Sequence, residues 1–172
     1  MDLGTRLVVV GTSGSGKTTM AVRLARALDV PHVELDALQH GPNWEQATDA
    51  QLRERAAGAT TGEGWVVDGN YSAVRDVVWP RATAIIWLDY DRGVVMRRVL
   101  WRSFERAVTR RRLWNDNRER PTEWLAPEHP IRWAWRTHAD RRARYEALVD
   151  DRWVRLRSPT EARRWLSKRA TP

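Results

Sequence analysis

Apolar residues recur along this chain in two rhythms. Short, mostly apolar runs stand at 6–10, 32–35, 65–67 and 83–88, and each is followed at once by a glycine or an aspartate: Gly11, Asp36, Asp68 and Asp89. A fifth run stands at 153–156. Between the runs the period lengthens. Met20, Ala21, Leu24, Ala25 and Leu28 predict a helix over 17–28, and Val94, Val95, Val99, Trp101 and Val108 predict a basic one over 92–112. Further helices are predicted at 46–58, 131–149 and 159–166. The stretch 114–130 has no period and is rich in Asn, Glu, Arg, Trp and Pro, the signature of a lid or binding element. Strands that read as continuous apolar runs and alternate with helices predict an α/β fold of three layers, with five parallel strands covered on both faces. The length of 172 residues fits one domain, 1–172, with a lid-like insertion at about 110–130.

The chemistry lies between the first run and the first helix. Gly11, Gly16, Lys17 and Thr18 satisfy the spacing G-x-x-x-x-G-K-[ST], the P-loop. Glycines let the backbone curl so that the N–H groups from Gly11 through Ser13, Gly14, Ser15 and Gly16 point inward, and the helix that follows adds its positive end. Such a cradle takes the phosphates of ATP: Lys17 reaches the β- and γ-phosphates, the Thr18 hydroxyl ligates Mg²⁺, and Thr19 is placed for the α-phosphate. Ligands of an open parallel sheet bind outside the carboxyl ends of its strands, which puts Asp36, Asp68 and Asp89 near the loop. Asp68 is a candidate to hold Mg²⁺ through water or to take the proton of an attacking hydroxyl, or else a turn-forming residue before Gly69. Asp36 is a candidate to grip or deprotonate an acceptor, or to cap the next segment; Asp89 reads as structural.

Phosphoryl transfer spreads negative charge that fixed cations must meet. Arg98 and Arg102 lie four apart on one helix face, and Arg132 and Arg136 repeat that spacing beyond the irregular segment. Together they read as a phosphate clamp. The formal charge of +8 points to polyanionic partners, nucleotide or nucleic acid alike. Only Lys17 and Lys168 among 30 basic residues are lysine, which singles out the one inside the loop. Without cysteine or any apolar run of membrane-spanning length, the sequence predicts a cytoplasmic protein, and most of its 11 tryptophans are expected to pack.

Taken together, the loop Gly11 to Thr19, the segments 34–38, 41–44 and 65–71, and the later segments 86–89, 113–119 and 130–135 resemble the adenylate kinase-like P-loop proteins. More narrowly, they resemble the group called DNA topology modulation proteins. The resemblance implies a P-loop kinase fold, ATP with Mg²⁺, lid arginines at Arg98 and Arg102, and adenine contacts from the backbone near Ser158 and Pro159. It implies an acceptor side built from Asp36, Trp44, Asn70, Tyr71 and Arg75, with Arg132 beside them. Adenylate kinases carry Pro-Arg after Asp-Gly; here Asn70-Tyr71 follows Asp68-Gly69, which points away from AMP as acceptor. The expected activity is transfer of the ATP γ-phosphoryl group to a nucleoside, nucleotide or other small acceptor. The alternatives are a nucleic-acid-associated ATPase or regulator using the basic face 92–120, for which no helix-turn-helix, zinc-finger or RNA-recognition signature is present, or an ATP-binding module without turnover.

Overall fold

The structure, a computed structural model, describes residues 3–41, 45–109 and 130–169. Trp44 and nearly all of the expected lid, 110–129, lie outside the described residues.

Five parallel strands form one sheet in the order β2-β3-β1-β4-β5: β1 Arg6–Gly11, β2 His32–Glu34, β3 Trp65–Asp68, β4 Ala84–Leu88 and β5 Trp153–Leu156. Side chains alternate between the faces of a strand, so one apolar run feeds two cores. Leu7, Val9, Val66, Ile86 and Leu88 point to the face covered by α1 Lys17–Leu28, the first half of α5 Arg92–Thr109 and α7 Pro159–Ser167. Val8, Val10, Val67, Ile85 and Trp87 point to the opposite face, under α3 Asp49–Ala59, Val74, Val78 and Tyr145 of α6 Pro130–Glu146. That double burial is why the strands read as unbroken apolar segments. The chain leaves β1 toward β2 on one side, and β4 pairs with β1 on the other. The end of β1 therefore lies at the topological switch point, where α/β sheets bind their ligands.

Three local features depart from the expected elements. The second strand stops at Glu34, and α2 Leu35–Gln39 begins there, so Asp36 sits in a helical first turn rather than at a strand end. Leu35 is buried at the break, where a Cβ on Gly69 would meet its Cβ at 2.7 Å. The helix expected at 46–58 starts at Asp49 because Thr48 and Gln51 form a capping box, Thr48 accepting from the Gln51 N–H and the Gln51 side chain from the Thr48 N–H. Residues 72–81 make two short 3-10 turns around α4 Arg75–Val78 and bury Val74 and Val78, a piece of structure too short to show a period.

The last strand and α6 are tied on by charge and rings. Asp89 is buried and accepts from Arg155 Nε at 2.8 Å and Nη2 at 2.7 Å, with Arg142 Nη2 at 3.3 Å. The Arg155 guanidinium also lies 4.3 Å over the Trp87 ring, and Trp79, Trp87, Tyr145 and Trp153 make edge and tilted contacts with one another. Trp65 and Trp87 are buried as expected, whereas Trp101 and Trp135 are exposed on α5 and α6. No helix among the described residues is long and apolar enough to cross a membrane.

Leu7 is wholly buried on the central strand. Leu7→Ala should lower the unfolding free energy by about 2–5 kcal/mol, read as an earlier urea midpoint at unchanged slope.

Candidate functional site

Between β1 and α1 the backbone winds through three positive-φ glycines: Gly11 at 147°, Gly14 at 85° and Gly16 at 95°. Two of them also need the missing side chain. A Cβ on Gly11 would meet the Leu88 carbonyl oxygen at 2.7 Å, and one on Gly14 would meet Val99 Cγ2 at 2.3 Å. The loop is thus laid directly on the β4 end and on α5. Gly16 offers no side-chain cap to α1, and the first turn of α1 holds no acidic residue, which leaves its N–H groups and positive end facing the loop.

Lys17 Nζ lies 3.4 Å from the Thr12 carbonyl, folded back into the loop. Burial pulls its pKa down to about 8, with Arg141 and Arg102 acting in the same direction and Asp36 and Asp68 opposing. The site therefore holds a desolvated ammonium among other cations, an arrangement that a polyphosphate would relieve.

Asp68 is buried at the end of β3, and its Oδ1 lies 3.4 Å from His32 Nε2 without hydrogen-bond geometry, so that oxygen has no hydrogen-bond donor. Register pairs Val9 with Asp68 and Asp68 with Glu34, which puts the two carboxylates on the α1 face of the sheet. The Thr18 hydroxyl is 3.5 Å from Glu34 Oε1. No local pattern marks Glu34 in the sequence; the pairing of β2 with β3 is what brings it beside Thr18. Among the described residues no group of three metal-ligating side chains occurs, but Mg²⁺ binds through one or two protein oxygens, waters and substrate phosphates. Thr18, Asp68 and Glu34 fit that donor set.

Asp36 accepts a hydrogen bond from the Tyr71 hydroxyl at 2.7 Å, and His40 Nε2 lies 3.5 Å from that hydroxyl. Burial and the neighbouring carboxylate push the Tyr71 phenol far above its ordinary pKa, so it stays protonated and donates. Asp36 and Tyr71 form one hydrogen-bonded unit, and the Asp36 carboxylate acts on Lys17.

Two of the nominated arginines reach the loop. Arg98 Nη1 donates to the Ser15 carbonyl at 2.9 Å, its guanidinium 5.4 Å from the Tyr90 ring, and Arg102 Nη2 donates to Ser13 Oγ at 3.2 Å. Arg132 and Arg136 lie exposed on α6. The α6 arginine that acts on Lys17 is instead Arg141, half-buried, with its pKa lowered by burial. Its signal in the sequence was its place one turn before Tyr145, on the face that α6 turns to the sheet. That face is attached at three points: His138 Nε2 donates to the Tyr90 carbonyl at 2.9 Å, Arg142 reaches Asp89, and the Tyr145 hydroxyl donates to Asn70 Oδ1 at 3.0 Å.

The remaining nominated residues have definite places. The Arg75 guanidinium lies 4.6 Å over Trp79. Asn70 is hydrogen-bonded to the backbone of Gly11. Ser158 accepts from the Glu161 N–H at 3.1 Å and so caps α7, with Pro159 at its first turn.

Comparison with known proteins agrees with this architecture. Residues 7–89 match the family described as "ATPase family associated with various cellular activities (AAA)". No curated protein sequence matches the chain. Among solved structures, it is similar to a gluconokinase from Sinorhizobium meliloti 1021, at 19% identity over 99% of this chain and 95% of that one, with a TM-score of 0.55. It is also similar to shikimate kinase from Bacteroides thetaiotaomicron, at 15% identity over 95% of both chains and a TM-score of 0.56. Shikimate kinase from Acinetobacter baumannii in complex with shikimate matches at 17% identity over 95% of this chain and 89% of that one, with a TM-score of 0.59. The chain has the α/β, five-stranded P-loop NTPase fold.

Two expectations follow. Lys17 is held below its ordinary pKa, so between about pH 8 and its unfolded value the unfolded chain carries more protons, and stability rises with pH through that window. Chemical denaturation of wild type and Lys17→Met at pH 7 and pH 10 should show a larger gain for wild type. Gly14→Ala, which drives a methyl into Val99, should displace α5 with Arg98 and Arg102 and weaken Mg-ATP binding by more than about tenfold in calorimetry.

Proposed function

We propose that this protein is a small-molecule kinase that transfers the γ-phosphoryl group of ATP to a hydroxyl or phosphate of a small acceptor. The observation that carries the reading is the gathering of Lys17, Arg98, Arg102 and Arg141 around one phosphate loop, with the carboxylates Asp36 and Asp68 in the field of the same lysine. Cations cover the triphosphate, Asp68 serves the metal and Asp36 faces the acceptor, and positioning with charge stabilisation is nearly all that phosphoryl transfer asks of a protein. The fold neighbours named gluconokinase and shikimate kinase are consistent with this reading.

In this scheme the loop N–H groups and Lys17 hold the β- and γ-phosphates, and Arg98 and Arg102 close the other side. Thr18, Asp68 and Glu34 are placed to hold Mg²⁺, which when bound neutralises charge on the β- and γ-phosphate oxygens. By the adenylate kinase-like resemblance, the backbone at Ser158 and Pro159 would meet the adenine. Asp36, fixed by Tyr71, accepts the proton of the acceptor hydroxyl as its oxygen attacks the γ-phosphorus; the bond to the β–γ bridging oxygen breaks and ADP leaves. Two of the arginines that gave the sequence its basic face, Arg98 and Arg102, turn toward the loop, which favours a nucleotide over a nucleic-acid backbone as their partner.

ADP release should be measured with Mg-ATP against a panel of nucleosides, nucleoside monophosphates and small hydroxylated metabolites, with single- and double-stranded DNA as separate additions. The expected result is turnover that depends on one acceptor class and is abolished in Lys17→Ala. Stimulation by DNA alone, with affinity falling steeply as salt rises, would overturn the kinase reading.

A further inference from the structure

Asn70 follows Asp68-Gly69 at a strand end, where the sequence suggested an acceptor contact. Its side chain does something else. The Asn70 Nδ2 donates to the Gly11 carbonyl at 2.7 Å, and its Oδ1 accepts from the Gly11 N–H at 3.2 Å. A side-chain amide has the donor–acceptor pair of a peptide group, so these two bonds form a ladder rung made by a side chain. The rung is needed where it stands. Pairing of β1 with β3 runs only from Arg6 with Trp65 to Val9 with Asp68, and the next bond, from the Gly69 N–H to the Val9 carbonyl, is already stretched to 3.4 Å. On its other side Gly11 is still in register with Leu88 of β4. Without Asn70, the first peptide of the phosphate loop would be held from one strand alone.

The amide is itself oriented. The Gly11 N–H can only donate and its carbonyl only accept, which marks Oδ1 and Nδ2, and the hydroxyl of Tyr145, a buried residue of α6, donates to that Oδ1 at 3.0 Å. Burial holds the Tyr145 phenol above its ordinary pKa, so the donor persists over the working pH range. Arg141, which acts on Lys17, stands one turn away on the same helix.

We propose that Asn70 and Tyr145 are positioning residues: a buried hydroxyl–amide clamp that fixes the Gly11 peptide, and with it the mouth of the phosphate loop, to the helix carrying Arg141. The proposal rests on the loop being a nucleotide site, and it makes Asn70 a residue that acts through Gly11 rather than on the acceptor.

The test compares wild type with Asn70→Ala, Tyr145→Phe and the double variant, none of which needs an acceptor to be assayed. Mg-ATP affinity is read by calorimetry, exchange of the Gly11 amide proton by NMR, and folding by thermal unfolding. Tyr145→Phe should weaken Mg-ATP binding about fivefold and Asn70→Ala about tenfold or more, each with faster Gly11 exchange and a cooperative melt. Tyr145→Phe keeps the packed ring and removes only the hydroxyl, which acts through Asn70, so the double variant should bind no more weakly than Asn70→Ala. Wild-type Mg-ATP affinity in Asn70→Ala, or a double variant whose loss is the product of the single losses, would overturn the clamp. A wild-type chain that binds no Mg-ATP would instead remove the nucleotide-site reading and the clamp with it.

Discussion

The rest of the site depends on a short length of backbone bent into a curl that leaves no room for side chains at Gly11 and Gly14. From Gly11 to Gly16 the chain passes through three positive-φ glycines, and α1 begins with neither a side-chain cap nor an acid in its first turn. Unpaired N–H groups beside a helix N-terminus are tolerable only where an anion or water can meet them. The surrounding features keep that curl in shape. The Leu88 carbonyl and Val99 occupy the spaces where side chains would be, Arg98 takes the Ser15 carbonyl, and Asn70 takes both ends of the Gly11 peptide.

Charge is arranged around the same centre with a clear polarity. Guanidinium groups approach the loop from α5 and α6, and carboxylates approach from β2, β3 and α2. Lys17 lies between them and registers both groups: Arg141 and Arg102 lower its pKa, Asp36 and Asp68 raise it, and burial outweighs all four. That gradient of charge across one loop is the feature on which the proposed kinase reading rests.

What the sequence revealed depended on whether the signal was local. The loop was legible because its function is written in consecutive residues between a strand and a helix, and the sheet was legible because double burial makes each strand a continuous apolar run. Arg98 and Arg102 were legible because α5 is long enough for its period to place them on one face. Residues whose meaning comes from strand pairing or helix docking were not. Glu34 gains its place beside Thr18 only through the register of β2 with β3, Arg141 only because α6 docks through Tyr145, and Asn70 faces Gly11 because the β1–β3 ladder gives out at Gly69. The segment 72–81 was missed because its turns are shorter than any period that would announce them.

The three attachments of α6 have an effect on the thermodynamics of ligand capture. His138 is fixed to the end of β4, Arg142 to Asp89 and Tyr145 to Asn70, at spacings that line one helix face, so the stretch 138–145 is docked on the sheet. Arg141 is carried in that docked stretch and needs no large ordering step to meet an anion. The entropy of holding that stretch is lost during folding, so a ligand that drew on Arg141 would not have to meet that cost again.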